Sequence, residues 1–375
     1  MTVVADGPVY RFSQVATIGN LAPLALKNAL LGLLTLTLYR FWARTDVRRR
    51  LWSTTYVMGD PLEYSGGGWE LFRGFLLTIP VFFLPAILIL YVAPLLIEPA
   101  LAGLLAFGFY VAAVPIIALA TYLMRRYQLS RTRWRGIRLG LDGSPMAYAY
   151  ASSGWTLLEM VTFGWYAPAA RMRRAKVMWE NTRFGDQPFE FGVGEDKPER
   201  GLVGPYALAW FGFPIALIVA STFAGMAMLV VAGLTGFDFH AGVKPGETPP
   251  LAFFVLPIVF LFLLAFAWAF AWMPYNAAAM NRTAELLTLD GARFRLKTET
   301  VPLYGVTLLS VLIFVFSLGI LAPVSGMLYV RYVLNRLEMV GTPRFAEIGQ
   351  SVIAAPRSGE GIADAFDLDF GVGVI

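Results

Sequence analysis

Long apolar runs with few charges constrain this chain more than any other feature. Seven such segments stand out, at about 21–43, 74–97, 101–124, 155–170, 202–234, 251–280 and 303–330. A helix that crosses a bilayer needs roughly 20 residues that are mostly apolar. The second, third, fifth and sixth segments meet that requirement. The pattern therefore predicts an all-α polytopic membrane protein.

Composition and charge agree with a lipid environment. Only 15% of the residues are charged and 57% are hydrophobic, whereas a soluble domain carries about 25% charged residues. The net charge is +5, and the basic residues cluster beside the apolar runs, where anionic headgroups attract Lys and Arg. The expected partner is a bilayer with anionic lipids, and nucleic acid is disfavoured. The absence of cysteine excludes disulfides and thiolate metal sites.

Five polar segments carry the mark of a β-hairpin, which is alternating apolar and polar residues around an Asp or Gly turn. These predicted hairpins lie at 54–64, 135–150, 181–191, 285–296 and 337–348. Three apolar segments also contain a breaker, at 35–39 (TLTLY), 162–166 (TFGWY) and 317–321 (SLGIL). The recurrence indicates internal duplication of helix plus β-hairpin units. Because an isolated hairpin is marginal in water, we expect the hairpins to share a small cytoplasmic β layer.

The same pattern divides the chain into three parts. Residues 1–19 include Asp6 and Arg11 and lack a continuous apolar core, so they form an N-terminal segment and not a cleaved signal peptide. Residues 20–349 form the repeated membrane domain. Residues 350–375 combine Gly, Pro, Ser and acidic residues without apolar periodicity, which predicts a flexible tail.

Several motifs resemble one known family. The runs NALLGLLTLTLYRFWARTDVRRRLWSTTYVMGDPLEYSGGGWELFRGF (28–75), RRYQLSRTRWRGIRLGLDGS (125–144) and MRRAKVMWENTRFGDQPFEF (172–191) resemble the YjgN-like family of bacterial inner-membrane proteins. The sequence departs from the family pattern at Thr37, where the family breaker usually has Gly. The resemblance implies a multi-pass protein of the bacterial inner (plasma) membrane. It implies no activity, because the domain has no established function.

The distribution of Lys and Arg separates two topologies. The five segments that carry the hairpins hold 25 of the 30 basic residues. If all seven apolar segments cross the membrane, these basic segments lie on both sides. If the three breaker helices dip in and return, all five face the cytoplasm, as the positive-inside rule requires. We favour the second arrangement.

Two groups of side chains are candidate sites. The basic clusters are candidate lipid headgroup contacts, although orientation and snorkelling anchorage are their ordinary and favoured explanation. Lys27 and Glu159 lie within apolar segments and are candidate intramembrane polar residues, with placement at the interface as the ordinary alternative. The candidate headgroup contacts are Arg44, Arg48, Arg49, Arg131, Arg133, Arg135, Arg171, Arg173 and Arg174.

Enzyme chemistry finds little support in the sequence. His240 is the sole histidine, and a single imidazole makes no metal or catalytic site. Phosphate-loop and nucleophile-elbow motifs are absent from the sequence. We predict a protein that is not an enzyme and has no cofactor or metal.

Two hypotheses remain: a transporter or permease-like protein for a small solute or amphiphile, or a non-enzymatic platform that binds anionic lipid or a partner protein. The sequence leaves homo-oligomer formation open.

Overall fold

The computed structural model describes residues 7–236, 251–345 and 347–350. The chain divides into two compact units. The first comprises Met1–Pro198, Met280–Thr298 and Gly305–Ile375, and the second comprises Glu199–Ala279 and Glu299–Tyr304. Nearly all of the predicted flexible tail and the sole histidine, His240, lie outside the described residues.

Ten short strands form a closed antiparallel barrel within the first unit. The first strand pairs with the last one, Val9 opposite Val340, and with the second one, Gln14 opposite Thr55, which closes the barrel. Closure removes the unpaired edges that isolated hairpins would expose. The strands are β1 Val9–Gln14, β2 Thr55–Val57, β3 Asp60–Tyr64, β4 Thr132–Trp134, β5 Ile137–Leu141, β6 Thr182–Phe184, β7 Gln187–Phe191, β8 Leu287–Leu289, β9 Ala292–Leu296 and β10 Leu337–Val340.

Two-residue turns join the strands within each β-hairpin. Three of these turns, including Asp290 (φ 45°) with Gly291 (φ 77°), have positive φ at both positions. That is the type I′ conformation, whose twist matches the twist of paired strands. The other two are Met58-Gly59 and Arg135-Gly136.

Three features of the β structure differ from the sequence prediction. In the segment 135–150 the turn is Arg135-Gly136, whereas the residues from Pro145 begin a helix. The segment 337–348 contains one strand, β10, and not a hairpin. Strand β1 lies in the N-terminal segment, where no strand was predicted. The all-α class with a small β layer was therefore incomplete, since the protein is mainly helical but contains a ten-stranded barrel.

Among the described residues, four helices are long and apolar enough to cross a membrane, namely α3, α4, α7 and α8. They correspond to the four segments that met the length requirement in the sequence. Helix α3 contains two π-helical turns, Ile79–Phe83 and Leu88–Val92. The helices are α1 Ile18–Leu34, α2 Arg40–Ser53, α3 Gly68–Leu96, α4 Pro99–Arg131, α5 Pro145–Val161, α6 Ala167–Glu180, α7 Val203–Thr235, α8 Leu251–Glu285, α9 Thr300–Phe316 and α10 Ala322–Leu334.

The six shorter helices form three pairs, α1 with α2, α5 with α6, and α9 with α10. A helix of 17 residues, such as α1, extends about 25 Å, which is less than the roughly 30 Å of a hydrocarbon core. Each pair turns at a predicted breaker, and all three turns have the same hydrogen bond at 3.0 Å. In each, a backbone N–H (Tyr39, Tyr166 or Leu321) donates to the hydroxyl four residues earlier (Thr35, Thr162 or Ser317). Their descent from a duplicated unit stays a prediction.

The first of these turns carries backbone strain that the others avoid. Thr37 has φ 71°, and its counterparts are Gly164 (φ 90°) and Gly319 (φ 81°). A left-handed conformation costs an L-residue about 1–2 kcal/mol, and glycine adds about 0.4–1 kcal/mol of unfolded-state entropy. We expect Thr37→Gly to raise the free energy of unfolding by about 0.5–1 kcal/mol, measured as a higher Tm in detergent. Gly319→Thr should lower the Tm, and a lower Tm for Thr37→Gly would contradict this account.

Candidate functional site

The interior of the barrel contains a cavity of about 200 Å³. An eight-stranded barrel is just wide enough for side chains to fill or for one small ligand, and diameter grows with strand number. Ten short strands therefore leave space that their side chains do not occupy. Every strand contributes an apolar side chain to the wall, in strand order Phe12, Val57, Leu62, Trp134, Leu139, Phe184, Phe189, Leu289, Phe294 and Met339.

The two ends of the cavity are built differently. Helix residues line one end, among them Trp52 of α2, Trp179 of α6 and Val333 of α10. The other end carries the two-residue turns and is crossed by residues 341–345 and 347–350, which we call the C-terminal strap. Its Phe345 lines the cavity and packs edge-on against Trp134, with ring centroids 4.9 Å apart.

The C-terminal strap is held on the turns at two places. The backbone N–H of Arg344 donates to Asp290 Oδ2 at 2.8 Å, and its guanidinium lies 3.2 Å from Asp290 Oδ1. Further along, the backbone N–H of Asp186 donates to the carbonyl oxygen of Gly349 at 3.1 Å. A Cβ at Gly185 would collide with that same carbonyl oxygen. The strap thus fits closely over the turn between β6 and β7.

The ion pair on the strap predicts a pH dependence. Hydrogen bonds from Arg344 hold the pKa of Asp290 below its ordinary value. A carboxylate with a depressed pKa in the folded state adds stability above the unfolded pKa, about 3.9, and loses it as the pH falls through the folded pKa. We expect the Tm of Asp290→Asn to be lower than that of the wild type at pH 7, and the difference to disappear in strong acid. A difference that stays constant down to pH ~2 would contradict the assignment.

Most polar groups in the cavity wall are occupied by bonds within the protein. The indole N–H of Trp52 donates to Thr132 Oγ1 at 2.9 Å, and that of Trp134 donates to the carbonyl oxygen of Val57 at 3.2 Å. The hydroxyl of Thr55 donates to the carbonyl oxygen of Leu51 at 2.8 Å. The wall therefore presents mainly hydrocarbon and aromatic surface to whatever enters.

The candidate headgroup arginines are dispersed, and several have partners within the protein. Arg49 Nη2 donates to the carbonyl oxygen of Gly66 at 2.8 Å, and the buried Arg48 donates to the hydroxyl of Tyr64 at 3.3 Å. Arg131 pairs with Glu70 at 2.9 Å.

The remaining arginines follow the same trend. Arg135 pairs with Asp60 at 2.6 Å across two barrel turns, and Arg173 lies 5.3 Å from the ring centroid of Tyr166. Arg44 and Arg171 also contact neighbouring groups, and Arg133 lies on β4 opposite Glu63. Arg174 is described with Glu159 below. Within the described part of the chain these arginines do not line the cavity, and their contact with lipid stays a prediction.

Both candidate intramembrane residues form ion pairs across a short helix pair. Glu159 Oε1 of α5 lies 2.7 Å from Arg174 Nη1 of α6, and the same guanidinium donates to Thr156 Oγ1 at 2.8 Å. Lys27 Nζ of α1 lies 3.7 Å from Asp46 Oδ2 of α2. A neutral pair explains how charged groups lie within apolar segments. The geometry favours a structural role for both residues.

Sequence reasoning missed the cavity altogether. The signal was present, because alternate positions of the predicted hairpins hold Phe184, Phe189 and Phe294, which are all buried. Such alternation shows that one face is apolar. It does not show whether that face covers a flat layer or the inside of a barrel.

Comparison with known proteins places the chain in a family. No curated protein and no solved structure matches it. A family model described as "Bacterial protein of unknown function (DUF898)" matches residues 10–365. The match extends over nearly the whole chain and agrees with the resemblance drawn from the sequence motifs. The chain is therefore a member of this bacterial family of unknown function, DUF898.

Proposed function

We propose that this multi-pass inner-membrane protein binds a small apolar or amphiphilic molecule inside its barrel. The observation that carries the proposal is the cavity of about 200 Å³ with its aromatic and aliphatic wall. An engineered apolar cavity of about 150 Å³ stays dry and binds benzene or xenon. A cavity of this size and lining therefore accommodates a compact ring or a short chain.

The connectivity supports one placement of the barrel. Each excursion of helices leaves the barrel at one strand and returns at the next, so the chain crosses the bilayer an even number of times between strands. All strands then share one side of the membrane. Since the basic segments flank the strands, the positive-inside rule places the barrel in the cytoplasm.

The turns of the short helix pairs support shallow insertion into the bilayer. Leu36, Phe163 and Leu318 at these turns are 86%, 83% and 90% exposed. Exposed apolar side chains at the end of a charged helix pair are typical of segments that enter lipid. Non-helical backbone deep in the hydrocarbon core must be covered by protein or by a water-filled cavity. A turn that enters the bilayer only slightly stays near water, so it needs less cover.

Cysteine labelling tests this topology, because the native chain has no cysteine. Single cysteines at Arg135, Asp186 and Thr342 report on the turn end of the barrel, and Glu98 between α3 and α4 reports on the opposite side. In intact cells a membrane-impermeant maleimide should label only the Glu98→Cys variant. The other three should label after permeabilisation. If only one of the Arg135→Cys and Asp186→Cys variants is labelled in intact cells, the two turns lie on opposite sides of the membrane. That result would contradict the placement of all strands on one side.

Fluorine NMR tests the binding itself. The protein in lipid nanodiscs would be titrated with 4-fluorotoluene, whose ring matches the size of the cavity. We expect a resonance distinct from the lipid-dissolved probe, and its loss in Leu139→Trp, where the larger side chain fills the space. A substitution at the exposed Val193, Val193→Trp, serves as the control. Equal spectra for all three proteins would overturn the proposal.

The cavity bears on the two hypotheses left open by the sequence. An amphiphile site inside the barrel agrees with the permease-like hypothesis, although transport itself stays a prediction. The platform hypothesis has a lipid form and a partner-protein form. The lipid form relies on arginines that reach lipid, and Arg131, Arg135 and Arg174 instead pair with acidic groups. Binding of an amphiphile inside the barrel is therefore better supported than binding of anionic lipid by the basic clusters.

A further inference from the structure

One polar side chain in the cavity wall has its amide unused. Gln128 lies near the end of α4, lines the cavity and is only 4% exposed. Its backbone carbonyl accepts a hydrogen bond from Thr132 Oγ1 at 2.8 Å. Within the described residues its side-chain amide has no hydrogen-bond partner, in contrast to the polar groups of Trp52, Trp134 and Thr55.

An unused amide at this depth is unusual. The large majority of buried side-chain polar atoms in proteins have at least one hydrogen-bond partner. Protein atoms do not enclose the amide of Gln128 completely. It is absent from the group of fully buried, unpartnered side-chain N and O atoms, so part of its surface remains accessible. It therefore offers an unfilled donor and acceptor to the occupant of the cavity.

We infer that the molecule bound in the barrel carries one uncharged hydrogen-bonding group, such as a hydroxyl or carbonyl, which pairs with the amide of Gln128. This inference rests on the proposed function and names the class of its ligand. A primary amide both donates and accepts, so it suits either group. The rest of the ligand is apolar, as the wall is.

The head group is neutral because nothing in the wall compensates a charge. Among the described residues, the side chains that line the cavity include no Lys, Arg, His, Asp or Glu. An ion transferred into such surroundings loses its hydration without gaining a counter-charge. Phenols, short alcohols and small ketones fit, whereas the carboxylates and phosphates that the basic clusters suggested do not.

Three probes of similar shape test the inference: 4-fluorotoluene, 4-fluorophenol and 4-fluorobenzoate, each titrated into the protein in nanodiscs and followed by fluorine NMR. After correction for partition into lipid, the wild type should bind the phenol more tightly than the toluene. Gln128→Leu should weaken binding of the phenol by roughly threefold to tenfold, the usual range for one hydrogen bond. Binding of the toluene should change little. Gln128→Met, which keeps the length of the side chain, provides a second variant if Gln128→Leu folds poorly.

The control is Thr121→Val on the same helix, whose hydroxyl donates to the carbonyl oxygen of Ile117 outside the cavity wall. It should leave all three affinities unchanged. If the Gln128 variants bind the phenol and the toluene as the wild type does, the inference is overturned while the cavity stands. Tighter binding of the benzoate also overturns it. If none of the three probes binds the wild type, the proposed binding function itself is contradicted.

Discussion

A chain that ends at Asn335 should lose the barrel as a cooperative unit. Strand β10 pairs with β9 from Leu337 to Val340 and with β1 from Glu338 to Val340, so its removal opens the barrel and exposes two strand edges. The buried Met339 and the strap with Phe345 are lost at the same time. We expect a loss of more than about 5 kcal/mol, which is comparable with the whole stability of many domains.

Hydrogen exchange measured by mass spectrometry checks this expectation strand by strand. In the shortened chain, β1 and β9 should lose amide protection first, because each keeps one neighbour only. A chain that ends at Gln350 is the matched control, since it retains every strand and the strap. Full protection of β1 in the chain that ends at Asn335 would show that closure does not stabilise the barrel.

Glu159→Leu should destabilise the α5–α6 pair by about 3 kcal/mol, because it leaves the charge of Arg174 without a partner. The side chains of Glu159 and Arg174 are 23% and 26% exposed, so the pair is mostly buried. The double variant Glu159→Leu with Arg174→Leu removes both charges and should recover most of the loss. Thermal unfolding in detergent, followed by near-ultraviolet circular dichroism, provides the measurement.

An exposed ion pair on α6, the helix of Arg174, provides a reference for the size of this loss of stability. Lys176 and Glu180 lie 3.7 Å apart with about half of each side chain exposed, so Glu180→Leu should cost less than about 1 kcal/mol. If Glu159→Leu is equally mild, the ion pair with Arg174 is superficial. If the double variant is no more stable than Glu159→Leu, the glutamate acts through something other than this pair.

Structural features that depend only on residues close together in the sequence, such as turns and long apolar helices, could be predicted from the sequence. The breakers at 35–39, 162–166 and 317–321 are turns, because a hydroxyl and a residue with positive φ end each preceding helix. Thr37 adopts the glycine-like conformation even though it is not glycine, because the turn around it is the same as in the other two pairs. The four helices that are long and apolar enough to cross a membrane follow directly from the length and composition of their segments.

One local pattern was ambiguous and was read wrongly. Asp142-Gly143 looks like a hairpin turn, but the next residues carry the signals of a helix start. The Oγ of Ser144 accepts a hydrogen bond from the N–H of Ala147, and Pro145 occupies the first helical position. The turn that does join two strands, Arg135-Gly136, has no Asp or Asn to mark it.

Closure of the barrel and the cavity depend on contacts that are distant in sequence. The pairing of Val9 with Val340 joins the two ends of the described chain, and no local pattern encodes which strand an edge will meet. Gln128 lies in the polar run RRYQLSR, where an amide looks like ordinary helix surface. It becomes unusual only once the barrel covers it.

The position of β10 also sets an order of events during synthesis. Chains emerge from the ribosome with the amino terminus first, and the strand that completes the barrel follows all of the described helices in the sequence. Until then one edge of β1 and one edge of β9 stay unpaired, although all ten described helices have already been synthesised. The cavity is therefore enclosed only at the end of this order, so that a chain arrested before Leu337 has no closed barrel around it.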